Sequence, residues 1–259
     1  MKKGIREALL GLAAIAAAYS GLNLIAIREA DACSAAYWKS VALKRETQSQ
    51  KGWESMLPEY RPLYEANEDI VGWISIEGAH IDYPVMQTKD EPEFYLRRNY
   101  DKEDDRRGTP FADYRCDLFP DQSFNTIIYG HNSAFRWLFE YAYRNRYQLL
   151  GERVRFDTLY ERGEYEFVAS YYFDGTDAEL LSPWDPGHAQ AYECYNFIDG
   201  GSKKEVRKFA ENIERNRLFD TGKSISERDH ILTLICCATK PFSGIEENGR
   251  LAVIAKKVE

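Results

Sequence analysis

Between residues 67 and 259 the apolar positions fall into short, β-branched runs separated by polar and glycine-containing breaks. Ile70–Ile76 and His80–Gln87 read as two strands around Glu77-Gly78-Ala79, with Pro84 marking the second as an edge or bulged strand. Thr109–Tyr114, Asn125–His131, Arg153–Leu159 and Tyr165–Phe173 read as further strands. The unbroken run Ile231–Cys237 follows, and then Arg250–Lys256 after a loop carrying Pro241 and Gly244. Antiparallel pairing of these last two would set Arg250 beside the cysteines. Alternation gives Thr233, Ile235 and Cys237 one face and Leu232, Leu234 and Cys236 the other, so only one thiol can face a site.

The period changes twice. Phe135, Leu138, Phe139 and Ala142 stand at helical spacing. Ser202-Lys203-Lys204-Glu205 is a capping box ahead of the stripe Val206, Phe209, Ala210 and Ile213, with Gly222 as the expected stop. Lys89–Arg107 is charged and Tyr-studded, a loop with a helical turn, and Asp177–Gly201 is irregular. Many short strands with few helices predict a mainly β fold, a closed barrel with peripheral helices rather than a parallel sheet.

The N-terminus differs. Lys2, Lys3 and Arg6 precede an uncharged run over 8–27, about the ~20 residues that cross a bilayer as a helix. The positive cluster lies before the run, which puts 1–7 in the cytoplasm, makes 8–27 a transmembrane signal anchor and places the rest outside. A cleavable signal peptide and a lipid anchor at Cys33 compete with this; the run is long for the first, and no Leu stands three residues before Cys33 for the second. Residues 28–66 mix a helical face (Trp38, Val41, Leu43) with the polar stretch Lys44–Lys51, and read as N-terminal helices, either a stalk packed on the domain or a solvated spacer. The catalytic-domain candidate is 67–259.

Composition narrows the function. Of 259 residues, 44% are hydrophobic, enough for one sizeable core, and a net charge of −8 with scattered Lys and Arg excludes a nucleic-acid binder. The five cysteines, Cys33, Cys116, Cys194, Cys236 and Cys237, are odd in number and lack zinc-site spacing. Cys236 and Cys237 could join only as a strained vicinal disulfide, so at least one is a free thiol. In an extracytoplasmic protein a free thiol calls for a reason.

Three residues offer one. A thiol at the end of a strand is more often packing than chemistry, and a lone Arg is more often a surface residue. His80, His188 and His230 read as structural or exposed, whereas His131 closes an apolar strand after Tyr129-Gly130, where an imidazole can exchange protons near neutral pH. Arg250, opening the strand beside the cysteines, could stabilise an oxyanion and help hold a thiolate.

Tyr129-Gly130-His131, Thr233-Leu234-Ile235-Cys236-Cys237 and Arg250, in that order, resemble the His, Cys and Arg motifs of the sortases. Val71-Gly72-Trp73-Ile74, Ile81-Asp82-Tyr83-Pro84-Val85 and Phe111-Ala112-Asp113-Tyr114-Arg115 resemble class B sortases in particular, the matches running from about residue 67 to the C-terminus. The resemblance implies a sortase-type barrel and a membrane-anchored cysteine transpeptidase on a Gram-positive-type cell surface, needing no cofactor or metal. It selects Cys237 as the nucleophile, the fifth residue of the motif that begins at Thr233. Cys236 then stands where relatives often carry Thr. His131 would be the proton carrier and Arg250 the oxyanion stabiliser. The implied partners are secreted proteins bearing a C-terminal sorting signal and an amine acceptor, a peptidoglycan cross-bridge or a pilin. The long insertion before the cysteine strand, with its helix after Ser202, would form one wall of a substrate groove. Two other readings stay open: a papain-like hydrolase, disfavoured because His131 precedes Cys237, and a non-catalytic surface-binding barrel.

Overall fold

A computed structural model describes residues 52–119, 121–131, 134–135, 138, 151–174, 194–238 and 249–258. The chain divides into two compact units, Met1–Ser55 and Met56–Glu259. The expected anchor at 8–27, and most of the segment 28–66, lie outside the described residues. Among the described residues no helix is long and apolar enough to cross a membrane.

The second unit is an eight-stranded closed barrel. Its strands are β1 (Ile70–Ile76), β2 (Ile81–Met86), β3 (Phe111–Ala112), β4 (Asn125–Tyr129), β5 (Arg153–Thr158), β6 (Glu164–Asp174), β7 (Ile231–Cys237) and β8 (Gly249–Lys257). Around the barrel they run β1-β2-β3-β4-β7-β8-β6-β5, and β5 closes back on β1. Pairing is antiparallel except at β2–β3 and β4–β7, which are parallel. Short helices flank it: α1 (Arg61–Ala66) and α2 (Lys203–Asn216).

Period-two alternation fills the lumen. Ile74, Ile76, Val85, Ile128, Phe156, Leu232, Leu234, Leu251 and Val253 form one buried cluster. The opposite face of β4, β6, β7 and β8 buries Ile127, Tyr171, Ile231, Ile235 and Ile254 against Phe209 and Ile213 of α2. In β6, Tyr165 and Phe167 face the lumen, yet Ala169, Tyr171 and Phe173, of the same parity, face α2. A bulge between Phe167 and Ala169 causes this, because one extra residue turns every later side chain to the other face. One strand thus serves two cores.

Several expected boundaries move, each for a local reason. Thr109–Tyr114 contracts to β3, since Pro110 has no N–H to give and Asp113 turns the chain, accepting from the backbone N–H of Cys116 and Arg115. His80 is not in a strand: it sits exposed at the end of the 3-10 turn Glu77–Ala79 with φ 51°. The capping box is present, Ser202 and Glu205 bonding reciprocally. Gly222 does not end the helix, however. α2 stops at Asn216, Arg217 turns extended, and Leu218 N–H bonds Ser170 O of β6 at 2.8 Å. Of the positions at helical spacing from Phe135 onward, only 135 and 138 are described; with Ala134 before them, they are helical and buried. Residues 56–66 fold with the barrel: Met56 and Tyr60 are buried, and Leu57 N–H donates to Leu159 O.

Leu234, 1% exposed in the lumen, tests the core. Leu234→Ala is expected to lower stability by about 2–5 kcal/mol, through lost transfer energy and an unfilled cavity. Truncation of the exposed Leu218 is expected to stay within about 0.5 kcal/mol. Urea unfolding midpoints of the two variants measure the difference.

Candidate active site

The end of β7 is where the chemistry gathers. β7 pairs in parallel with β4, Tyr129 opposite Ile235, and antiparallel with β8, Cys237 opposite Arg250. Directly opposed residues on neighbouring strands project to the same face, so Cys237 and Arg250 share one side of the sheet. The parallel pairing carries β4 and β7 the same way, so His131 and Cys237 each lie two residues beyond a matched pair. All three side chains are partly exposed and line one cleft of about 580 Å³, with Leu96, Tyr114 and Tyr129 among its walls. The structure therefore brings together His131, Cys237 and Arg250.

The neighbouring thiol is different. Cys236 faces the lumen, 4% exposed. Burial pushes its pKa up to about 12; the adjacent Cys237 adds to this and Arg250 pulls against it. Cys236 is therefore a protonated, apolar filler at neutral pH, and the accessible thiol is Cys237. Cys116 and Cys194 are buried in the cluster beneath α2.

His131 is held from two sides. Its carbonyl accepts from the N–H groups of Ala134 and Phe135, which starts the helical turn after β4. Its Nε2 donates to Leu96 O at 2.7 Å. A carbonyl can only accept, so the ring proton sits on Nε2 and Nδ1 is the nitrogen left to face chemistry.

Beneath the cleft lies a polar network that sequence reasoning did not single out as functional. Asp113, 5% exposed, accepts from Arg115 Nε at 2.9 Å and Nη2 at 2.7 Å, and from the Tyr129 hydroxyl at 2.9 Å. Burial pushes the Asp113 carboxyl up, but the hydrogen bonds from Arg115 and Tyr129 outweigh it and hold the group below its ordinary value. Burial, followed by the Asp113 charge, drives the Tyr129 hydroxyl far above its usual range. The Asp113-Tyr114-Arg115 spacing was the available signal, because residues two apart on a turn can close an ion pair.

The described lining of the cleft comes from 92–96, 111–115, 129–131, Phe173, 235–237 and Arg250, and none of it from α2; residues 175–193 of the insertion before β7 lie outside the described residues. α2 and 223–228 border a separate groove of about 520 Å³ that contains no cysteine or histidine. Glu246 and Glu247 lie outside the described residues. Among the described residues no group of three or more His, Cys, Asp or Glu could hold a metal ion.

Comparison with known proteins agrees with this geometry. No family model matches the chain. It is 32% identical over 205 residues to Sortase B of Listeria monocytogenes, covering 77% of this chain and 74% of that one. It is 25% identical over 228 residues to Sortase B of Staphylococcus aureus, covering 86% and 84%. The chain belongs to the class B sortases. Among solved structures, Bacillus anthracis sortase B in complex with AAEK1 superposes with a TM-score of 0.62 at 27% identity, over 86% of this sortase and 99% of that chain. The Staphylococcus aureus sortase B–substrate complex gives 0.62 at 25%, over 85% and 94%. This sortase is accordingly a cysteine transpeptidase with an eight-stranded barrel.

Asp113 ties the network to pH. Its folded-state pKa is depressed, so its contribution is present above the unfolded value of about 3.9 and is lost as pH falls through the folded value. Asp113→Asn is expected to cost about 1–3 kcal/mol at pH 7, the worth of hydrogen bonds to a charged group. The gap between variant and parent should close as pH drops below about 4. Unfolding curves at pH 7 and pH 3 check this; an equal gap at both would assign the loss to packing.

Proposed function

We propose that this sortase cleaves a C-terminal sorting signal of secreted proteins through a thioester at Cys237 and passes the new carboxyl end to an amine. The observation that carries the reading is the juxtaposition at the end of β7: an accessible thiol opposite Arg250, with His131 at the same position along the parallel strand. The Cys237 thiol gives its proton to Nδ1 of His131 as the sulfur attacks the scissile carbonyl carbon, and the carbonyl π pair moves onto oxygen. Arg250 donates to that oxyanion. When the tetrahedral intermediate collapses, the C–N bond breaks and His131, protonated at Nδ1, gives its proton to the leaving amine. An incoming amine then attacks the thioester, His131 takes a proton from it, and the C–S bond breaks as His131 returns that proton to the departing Cys237 thiolate. The amine is a peptidoglycan cross-bridge or a pilin side chain. A hydrolase would accept water at the second step; the partial enclosure of the cleft favours an oriented amine.

The experiment is single-turnover acylation by sorting peptides, read by mass spectrometry, with and without a glycine- or diamine-type acceptor. Cys237→Ala is expected to abolish the acyl-enzyme, whereas Cys236→Ala keeps it. Arg250→Lys retains charge but loses the planar fork, and is expected to slow acylation roughly 100- to 1000-fold. Acylation surviving Cys237→Ala, or brisk turnover with no acceptor ever incorporated, would sink the transpeptidation reading at this site.

The same reading places the enzyme at the cell surface, a single-pass protein held by 8–27. The support is the uncharged run behind Lys2, Lys3 and Arg6. Protease added outside intact cells is expected to digest 29–259 and spare 1–7. A chain lacking 1–28 is expected to be soluble and active; an insoluble product would make the run part of the fold.

A further inference from the structure

One point beside the cleft is crowded by two carbonyls and an imidazole, and the chain there carries no side chain. Gly108 holds a left-handed backbone, φ 63°. A Cβ built on it would lie 2.5 Å from Leu96 O, 2.9 Å from Tyr95 O and 3.0 Å from Cδ2 of His131. Leu96 O is the same oxygen that accepts from His131 Nε2 at 2.7 Å.

The carbonyls cannot back away easily. They belong to the 3-10 turn Phe94–Arg97, and this turn is tied down along its length. Thr109 N–H donates to Tyr95 O at 3.0 Å, and Asp105 N–H to Arg97 O at 2.8 Å. The Tyr95 ring is buried, its hydroxyl donating to Asp69 at 2.8 Å and accepting from Asn67 Nδ2 at 2.8 Å. A side chain at position 108 would press first on the two carbonyls and then on the imidazole, and so disturb the contact between Leu96 O and His131.

We propose that Gly108 is a positioning residue for the transfer reaction: its missing side chain lets the turn Phe94–Arg97 set the Leu96 carbonyl on Nε2 of His131. That contact holds the ring proton on Nε2 and leaves Nδ1 to exchange protons with the substrate. The inference rests on the reading of His131 as proton carrier.

The test uses Gly108→Ala and Gly108→Asn. Asn tolerates left-handed backbone while bringing the same Cβ, so the pair separates crowding from backbone strain. Thermal melting establishes that each variant is folded. Two readouts follow: single-turnover acylation by a sorting peptide, and ¹⁵N NMR of the His131 ring, assigned by its disappearance in His131→Gln. Both variants are expected to acylate about 100-fold more slowly, the loss a displaced reacting group brings, and to lose the Nε2–H signature. A folded Gly108→Asn with the parental tautomer and rate would overturn the positioning role. A parental rate in His131→Gln would instead overturn the role given to His131, and the ring signal would still report whether Gly108 sets its tautomer.

Discussion

β7 is hydrogen-bonded along both edges, in parallel to β4 and antiparallel to β8, and it has a core on each face. A slip of one residue would turn Leu232 and Leu234 out of the lumen and bring Thr233 and Ile235 into it. It would also exchange the two thiols, burying Cys237 and presenting Cys236. The apolar contents of the barrel therefore decide which thiol meets the cleft. Thr233 adds a polar lock: its hydroxyl donates to Asn125 Oδ1 at 2.7 Å, across to β4. Asn125 in turn donates to Phe197 O at 2.8 Å, which joins the register to the segment preceding α2.

Two kinds of polar group meet at this rim, and burial divides them. Asp113 is largely buried and survives as a carboxylate because Arg115 and Tyr129 supply hydrogen bonds that offset its desolvation. His131, Cys237 and Arg250 keep partial contact with the cleft. Tyr129 is common to both, reaching Asp113 with its hydroxyl while its backbone is paired with Ile235. The arrangement puts a closed hydrogen-bond network beside three side chains that keep access to the cleft.

Much of this was readable in the chain. Alternation in Ile231–Cys237 gives the faces the barrel uses, because a strand with a core on one side has only one acceptable phase. The capping box at Ser202 was legible because it is local. What escaped was set by tertiary contact. The Phe167/Ala169 bulge has no sequence signal, since either phase of β6 offers apolar residues. Gly222 looked like a helix stop, but the bond from Leu218 to Ser170 ends α2 earlier. The share of the cleft wall that comes from 92–96 escaped too, because that charged stretch reads as loop. The Leu96 carbonyl is invisible to any argument from side chains.

The two adjacent thiols lie on opposite sides of the barrel wall, and this bears on oxidative damage. A sulfenic acid formed at Cys237 would normally be rescued by a nearby thiol that condenses with it. Cys236 cannot serve, because reaching it would require the strand to give up the pairing that holds both cores. Among the described thiols Cys116 and Cys194 are buried beneath α2 as well, so a reductant would have to reach the Cys237 sulfur through the cleft.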